Sequence, residues 1–182
     1  MKKYLIEDKK AKTKSFFFKK EGQVFNKKYL NFLEKYYKKE KKDIRLCLHT
    51  SVKSKHHDMI ILQQRVNFYA PHKHLKKGET YHIIKGGMVC VLFNKKGIIK
   101  KCCKLKKNDI FRTPTNVFHT MMPVSKFVIY HESKNGPFLR KNDSIFSNWS
   151  IKLTNSKRDV NKLKNKVLSY LPNEKIRILF KS

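Results

Sequence analysis

Short runs of apolar residues separated by polar turns occupy the middle of the chain. Side chains alternate between the two faces of a strand, so a short apolar or alternating run bounded by turn residues predicts a strand. Nine segments fit this description: residues 45–49, 59–62, 67–74, 81–84, 88–93, 98–105, 110–113, 118–122 and 127–132. Strands this short and this closely spaced favour a closed antiparallel barrel or sandwich.

Glycines mark two of the turns between these segments. Gly86 and Gly87 separate the segments 81–84 and 88–93, and this placement predicts a hairpin. The tetrapeptide Asn-Lys-Lys-Gly at residues 94–97 predicts a second turn, because asparagine and glycine both favour turn conformations.

Helical periodicity flanks the strand region on both sides. Asn26 is a good N-cap, and the helix that it starts has an apolar stripe of Tyr29, Leu33, Tyr36 and Tyr37. Ser156 and Asp159 frame the start of a second helix, and Pro172 ends it. The apolar stripe of that helix consists of Val160, Leu163, Val167, Leu168 and Leu171.

The two ends of the chain are less regular. Residues 1–24 form a lysine-rich N-terminal arm with apolar patches at 4–6 and 16–18, which are either edge strands or part of a mobile segment. Residues 151–182 form a C-terminal helical extension, in which residues 173–182 are expected to add a final strand. The region between them, residues 25–150, is one domain.

Length and composition indicate a single folded domain. The chain has 182 residues, of which 40% are hydrophobic and 12% aromatic, so it is long enough to bury a core and too apolar for a disordered tail. Its net charge is +31, yet only six of 44 basic residues are arginine and the lysines are spread over the whole length. Nucleic-acid-binding proteins concentrate arginine and aromatic residues on one element, so a nucleic-acid partner is not expected. The lysine excess favours codon bias in a genome poor in G and C, although the positive field attracts phosphorylated or nucleotide-linked substrates.

The cysteines and the hydrophobic runs indicate a reduced, cytoplasmic protein. Cys47, Cys90, Cys102 and Cys103 show no C-x-x-C spacing, and an adjacent cysteine pair is poorly placed for a structural disulfide. The N-terminus is charged and has no apolar signal-peptide core. No run approaches the length needed to span a membrane.

The densest group of potential metal ligands lies in the sequence PHKHLKKGETYHIIKG. His72 and His74 lie two residues apart, so on a strand both rings leave the same face. Glu79 follows at an odd spacing, but the turn at residues 76–78 lets its carboxylate point back towards them. His119, on a later strand, offers a fourth ligand. Such a set is typical of a divalent transition metal, and Fe, Mn, Zn, Ni and Co are all compatible with it.

These residues resemble the two sequence motifs of cupins. The first motif, H-x-H-x4-E-x6-G, falls on His72, His74, Glu79 and Gly86, and the second, P-x-G-x2-H, falls on Pro114, Asn116 and His119. The resemblance implies an all-β fold, the cupin double-stranded β-helix or jelly-roll barrel, with a helix at each end. Asn108 and Asn116 replace glycines of the motif, and both turns are still expected because asparagine tolerates left-handed backbone. Val66 replaces another motif glycine and adopts that conformation poorly.

Further runs resemble the WbuC family of cupin-fold metalloproteins over residues 25–150. They are Arg45-x3-His49, PHKH followed by ETYH, VLFNKKG, HES-x-NGPF and Trp149. Members of that family are typically encoded among genes for O-antigen or other surface polysaccharide synthesis. The resemblance therefore implies a metal-binding fold and a role in polysaccharide or lipopolysaccharide biosynthesis, without defining the reaction.

Four further residues are candidates for contact with a substrate. Tyr81 lies two residues beyond Glu79 and shares its face, where it acts as an acid or base or packs as a core tyrosine. Glu132 is a candidate base or an anchor for a metal ligand. Arg45 and Arg112 are candidate phosphate-binding groups, although at least one of them is expected in a surface ion pair.

The remaining histidines receive weaker predictions. His49 is expected near the mouth of the barrel, whereas His82 points away from the candidate ligands and packs or forms an interface. His56 and His57 are predicted to lie in a loop.

The sequence favours a metal-dependent protein that acts on a sugar or nucleotide sugar by isomerase or epimerase chemistry. An Fe(II)-dependent oxygenase and a non-catalytic, metal-dependent sugar-binding or regulatory module are the alternatives. Cupin barrels often pair through their sheets, so a homodimer is also expected.

Overall fold

Two β-sheets pack face to face in the computed structural model, which describes residues 2–139 and 143–171. Its strands are β1 (Leu5–Glu7), β2 (Lys14–Phe18), β3 (Ile44–Cys47), β4 (His56–Gln64), β5 (Glu79–Lys85), β6 (Gly87–Phe93), β7 (Ile99–Lys106), β8 (Ile110–Arg112), β9 (Phe118–Pro123) and β10 (Phe127–Asn135). Its helices are α1 (Lys27–Glu40), α2 (Asn148–Thr154) and α3 (Lys157–Ser169), with a 3-10 turn at Lys2–Tyr4.

The strand order identifies the fold. Sheet A has the order β1-β2-β3-β4-β10-β5-β8, and sheet B has the order β7-β6-β9. The backbone of His72 pairs with His119 of β9, so the segment 72–74 continues sheet B at that edge. From β4 to β10 the chain crosses between the sheets at every connection except the β6–β7 turn, in the order of a double-stranded β-helix. The predicted all-β cupin jelly roll, with a helix near each end, is confirmed.

The predicted hairpin at Gly86 and Gly87 is wrong. β5 pairs with β10 and β8 in sheet A, whereas β6 pairs with β7 and β9 in sheet B, so the two glycines form a corner between the sheets. Gly86 has φ +82°, and a Cβ on it would lie 2.5 Å from Ser125 Oγ and 2.6 Å from the carbonyl oxygen of Phe127. Glycine is required at this corner because the chain turns directly against neighbouring backbone.

Three other turns agree with the sequence prediction. Residues 94–97 connect β6 to β7, and the Asn94 side chain accepts hydrogen bonds from the backbone nitrogens of Lys96 and Ile98, both at 2.9 Å. Asn108 has φ 73° and Asn116 has φ 59°, so both asparagines adopt the left-handed conformation expected of the glycines that they replace.

Two strand boundaries differ from the prediction. The segment 67–74 forms only two isolated bridges, His72 with His119 and Lys73 with Ile145, because Pro71 lacks an N–H and interrupts any longer ladder. β4 is longer than predicted and begins at His56, so the loop predicted for His56 and His57 is wrong.

The N-terminal residues complete one face of the molecule. The apolar patches of residues 4–6 and 16–18 lie largely in β1 and β2, which extend sheet A beyond β3; β1 is its edge strand, and β2 lies between β1 and β3. α1 covers the outer face of sheet A, and Asn26 caps it by accepting a hydrogen bond from the Lys28 nitrogen at 3.0 Å. Leu33 of α1 is fully buried, and burial of a side chain of this size contributes about 1.5–3 kcal/mol to stability.

The C-terminal helices cover the outer face of sheet B. Val167, Leu168 and the following Leu171 pack with sheet B residues such as Val89 and Val91. Ser156 caps α3 through a hydrogen bond from the Asp159 nitrogen at 3.2 Å, as predicted. Pro172 and the strand predicted for residues 173–182 lie outside the described residues.

The space between the sheets holds a separate apolar core. It is formed mainly by Phe17, Cys47, Met59, Ile61, Tyr81, Ile83, Met88, Cys90, Leu92, Leu105, Met121, Val128 and Tyr130. Among the helices of the described part of the chain, none combines the length and apolar character required to cross a bilayer.

Candidate metal centre

Four side chains from separate segments converge at the candidate site. One nitrogen each from His72, His74 and His119 and one carboxylate oxygen of Glu79 all lie within 4.8 Å of one another. His74, Glu79 and His119 are buried, and His72 is half-buried. We refer to this group as the His/Glu centre. It contains the four residues that the sequence predicts as metal ligands.

Backbone hydrogen bonds fix the positions from which these side chains extend. His72 and His119 exchange hydrogen bonds of 3.0 and 2.8 Å across the bridge that joins their segments. Glu79 is held by Thr113, whose nitrogen donates to the Glu79 carbonyl at 2.8 Å and whose hydroxyl accepts from the Glu79 nitrogen at 3.1 Å. The turn at residues 76–78 thereby directs the Glu79 carboxylate back towards the histidines.

Each imidazole of the His/Glu centre is oriented through its Nδ1 atom. Nδ1 of His72 lies 3.0 Å from the carbonyl oxygen of Ala70, and Nδ1 of His119 lies 3.0 Å from that of Val117. Nδ1 of His74 contacts the carbonyl oxygen of Asp143. A carbonyl oxygen only accepts, so Nδ1 carries a proton in each ring, and Nε2 is the nitrogen that is available to a metal once it is deprotonated. Metal-binding histidines in proteins are oriented in this way.

The pKa values of two histidines shift in opposite directions. Burial and the neighbouring His119 lower the pKa of His72 to about 4, so this ring is neutral at physiological pH. For His74, burial acts to lower the pKa, but the adjacent Glu79 carboxylate outweighs burial, and the net shift is upward. A metal ligand must present a free lone pair, which His72 does over the whole neutral range.

The carboxylate of Glu79 has partners on both oxygens. Oε1 lies 2.7 Å from Lys134 Nζ and 2.9 Å from His74 Nε2. Oε2 accepts a hydrogen bond of 2.5 Å from the Tyr81 hydroxyl and lies 3.0 Å from His119 Nε2. Burial alone would raise the pKa of Glu79, but Lys134 and the two histidines hold it well below its usual range, so the group is ionised.

The donor set fits a divalent metal. Although His74 Nε2 lies 2.9 Å from Glu79 Oε1, it is buried without a hydrogen bond, because the oxygen lies off the direction in which the ring nitrogen bonds. Three imidazole nitrogens and one carboxylate oxygen are ligands that divalent transition metals accept. The four candidate ligand atoms lie within 4.8 Å of one another, with His74 Nε2 2.9 Å from Glu79 Oε1 and His119 Nε2 3.0 Å from Glu79 Oε2.

A buried ammonium group adjoins the His/Glu centre. Lys134 Nζ lies 2.7 Å from Glu79, 3.1 Å from Glu132 and 3.9 Å from Asp143. Asp143 in turn pairs with Lys77 at 2.5 Å. Sequence analysis missed Lys134 and Asp143. The alternation of side chains along β10 could have placed Lys134 on the same face as Glu132. Asp143 lies beyond the strands, where no such pattern predicts its position.

Tyr81 and Glu132, the predicted catalytic residues, both face the interior beside Glu79. Burial and the Glu79 charge raise the pKa of Tyr81 well above 10, and its hydroxyl is occupied by the bond to Glu79. Burial raises the pKa of Glu132; the Lys134 ammonium opposes this shift, and the charge of Glu79 adds to it.

The two predicted phosphate-binding arginines lie on opposite faces of sheet A. Arg45 is half-buried on the inner face, where its guanidinium lies 3.1 Å from Ser15 Oγ and 3.8 Å from Met59 Sδ. Arg112 is exposed on the outer face, because Phe111 beside it packs inward, and it donates a hydrogen bond to the Thr80 hydroxyl at 3.2 Å. The structure does not bring Arg112 to the His/Glu centre.

A second histidine pair lies on the inner face of sheet A. The rings of His49 and His57 stack with centroids 4.2 Å apart and planes inclined by 3°. Both rings are buried, and Nε2 of His57 has no hydrogen-bond partner among the described residues. The spacing of His57 from Met59 and Ile61 in the sequence HHDMIIL was the signal that it belongs to the inner face.

Comparison with protein families gives one match. A family model described as "Domain of unknown function (DUF6016)" matches residues 25–105, which is less than half of the chain. No match was found among curated protein sequences.

Comparison with solved structures returns cupin proteins of low sequence identity. The capsular polysaccharide assembling protein CapF from Staphylococcus aureus is 13% identical, with a TM-score of 0.49 over 56% of this chain and 29% of CapF. KdgF from Halomonas sp. is 13% identical, with a TM-score of 0.44 over 54% of this chain and 83% of KdgF. A cupin-2 domain protein from Shewanella frigidimarina is 10% identical, with a TM-score of 0.41 over 50% of this chain and 78% of that protein. The chain thus spans less than a third of CapF, and its own strand order carries the fold assignment.

Proposed function

We propose that this chain is a metal-dependent cupin that acts on a sugar or nucleotide-sugar intermediate of surface polysaccharide synthesis. The metal part of the proposal rests on the three imidazoles, each with Nδ1 held by a backbone carbonyl, and on the one ionised carboxylate beside them. The sugar part rests on the resemblance of residues 25–150 to the WbuC family.

Bound by His72, His74, Glu79 and His119, a divalent ion would supply Lewis acidity that polarises a carbonyl or hydroxyl oxygen of the sugar. We assign proton transfer to Glu132, because burial raises the pKa of this carboxyl, as is common for side chains that act as general acids or bases. We assign the positioning of Glu79 to Tyr81, whose hydroxyl is already committed to that carboxylate. Arg45 is our candidate for an anionic group of the substrate, since it is the one of the two predicted arginines on the inner face.

The test starts with metal content and proceeds to turnover. Protein stripped with a chelator is reloaded separately with Fe, Mn, Zn, Ni or Co, and the bound ion is measured by elemental analysis. Each form is then incubated in D2O with a panel of nucleotide sugars and sugar phosphates. Isomerase or epimerase chemistry exchanges a carbon-bound proton with solvent, so NMR should detect deuterium in one sugar with wild type and none with Glu132→Gln. Protein that holds metal but neither binds nor changes any of these compounds would remove the sugar proposal.

A non-catalytic binding module is the second candidate. It is favoured because both predicted catalytic side chains already have partners. The Tyr81 hydroxyl donates a hydrogen bond to Glu79, and Glu132 forms an ion pair with Lys134 at 3.1 Å. Sugar binding that survives both Tyr81→Phe and Glu132→Gln, without turnover by wild type, would favour this candidate. Oxygen consumption that depends on substrate in the Fe(II) form would instead indicate an oxygenase.

A further inference from the structure

Lys134 occupies an unusual place for a cation. Its ammonium group is largely buried between β5 and β10, and its shortest ion pair, 2.7 Å, is with Glu79 Oε1. That oxygen lies 2.9 Å from His74 Nε2, so it faces the space that the imidazoles enclose. Lys134 therefore contacts the only negatively charged group of the His/Glu centre.

A simple structural ion pair does not require this arrangement. Glu132 lies two residues away on the same face, and its carboxylate is 3.1 Å from Lys134 Nζ, so it would satisfy the ammonium on its own. Asp143 lies 3.9 Å away on another side. The ammonium thus has two carboxylates within 4.0 Å besides Glu79.

We propose that Lys134 is a built-in counter-cation that competes with the metal for Glu79 and so sets the affinity of the centre for divalent ions. The inference rests on the proposed metal function. Without an ion, Lys134 places a positive charge beside the buried negative charge of Glu79. With an ion bound to the same carboxylate, the two cations repel each other, and Glu132 and Asp143 receive the ammonium group.

The proposal predicts opposite effects for the two members of one ion pair. Lys134→Met removes the repulsion and should tighten binding of Co(II) and Zn(II) at least about tenfold. Glu132→Gln removes the alternative partner of Lys134 and should weaken binding at least about tenfold. Lys134→Arg keeps the charge and should stay within about threefold of wild type. A purely structural role for Lys134 predicts the other sign, because a disordered Glu79 binds metal less well.

The experiment measures dissociation constants by competition with a chromophoric chelator at fixed pH and ionic strength. Lys85→Met is the matched control, since Lys85 forms an exposed ion pair with Glu34 at 2.8 Å and its loss changes the net charge equally. Circular dichroism establishes that each variant is folded. The absorption spectrum of the Co(II) forms reports whether the ligand set is unchanged.

The outcomes separate the two proposals. Tighter binding by Lys134→Met, with an unchanged Co(II) spectrum and no effect of Lys85→Met, supports the counter-cation. Equal or weaker binding by Lys134→Met, in a wild type that holds metal, overturns it and leaves the metal function standing. If Lys134→Met does not fold, Glu132→Gln decides, because unchanged affinity there contradicts the proposal and weaker affinity supports it. A wild type and a Lys134→Met variant that both fail to bind any ion overturn both proposals.

Discussion

At the scale of single residues, the His/Glu centre depends on which nitrogen of each ring carries the proton. The carbonyl oxygens of Ala70, Val117 and Asp143 accept from the Nδ1 atoms, so each ring is already oriented with Nε2 as its second nitrogen. Such preorganisation raises metal affinity because no ring has to be ordered on binding. The bond to His74 differs from the others, since its acceptor belongs to a distant segment of the chain.

We expect His74→Ala to remove most of the bound metal. The substitution deletes one of four donors and leaves Glu79 without its neighbour at 2.9 Å, so affinity should fall at least about 100-fold. Elemental analysis after dialysis measures the effect. His82→Ala, whose side chain points away from the interior, should retain the wild-type stoichiometry. Unchanged metal content in His74→Ala would refute the ligand assignment.

The left-handed asparagines make a separate prediction at the residue scale. Asn108 has φ 73°, a conformation that costs a residue with an ordinary Cβ about 1 kcal/mol or more. Asn108→Gly should therefore leave the free energy of unfolding nearly unchanged, whereas Asn108→Ala should lower it by about 1 kcal/mol. Urea denaturation of the two variants checks the difference, and equal stability of both would contradict the strain argument.

At the scale of elements, local sequence signals were sufficient where an element is defined by its own residues. The caps at Asn26 and Ser156 located α1 and α3 correctly, and the alternation of side chains located the strands from β5 to β10. The corner at Gly86 was misjudged because two glycines between strands look the same whether the strands pair or separate. Helix α2 was missed because it is short and its packing partner, the turn at residues 94–97, is remote in sequence.

The energy of the contact between α2 and the β6–β7 turn can be measured with a double-mutant cycle. Gly97 has φ +81°, and a Cβ on it would lie 2.7 Å from the indole of Trp149. Gly97→Ala should destabilise the protein by about 2 kcal/mol or more, through both the backbone conformation and the collision. In the background of Trp149→Ala the same change should cost clearly less, because only the backbone term remains. Additive effects in this double-mutant cycle would show that the two residues do not interact.

At the scale of the whole molecule, sequence reasoning reached the fold and the group of four candidate ligands, but not the charged side chains around that group. His72, His74, Glu79 and His119 were found because motif spacing is a local property that survives in the sequence. The contacts of Lys134 and the His49–His57 stack were missed for a different reason. Alternation assigns a side chain to a face of a strand, but its neighbours depend on strand pairing, and the pairing of β4 with β10 and β3 is a long-range property. Neither motif spacing nor strand pairing specifies the substrate.

Acid should destabilise the metal-free protein through the stacked histidines. Burial, together with the neighbouring His57, lowers the pKa of His49 to about 4, and burial also lowers that of His57. The unfolded chain, with a histidine pKa of about 6.5, therefore takes up protons first, and stability falls as the pH drops from about 7 towards 4. His49 alone should account for a loss of about 2 kcal/mol between pH 7 and 5.

Urea denaturation at pH 7 and pH 5 tests this expectation. His49→Phe keeps an aromatic ring in the stack and removes the proton acceptor, so its stability should depend less on pH than that of wild type. The comparison uses the difference between the two pH values, because the substitution also changes the absolute stability. An identical difference in wild type and His49→Phe would exclude the stacked pair as the source.

Residues that follow β10 help to orient the His/Glu centre from outside the barrel strands. Asp143 lends its carbonyl oxygen to His74, and Ile145 exchanges hydrogen bonds of 3.0 and 2.9 Å with Lys73 between the two histidines. A chain that contained only the barrel strands would keep the strand pairing but would lose the contact that orients the His74 ring. The smallest sequence that builds the β-helix is therefore shorter than the smallest sequence that holds the His74 ring in its observed orientation.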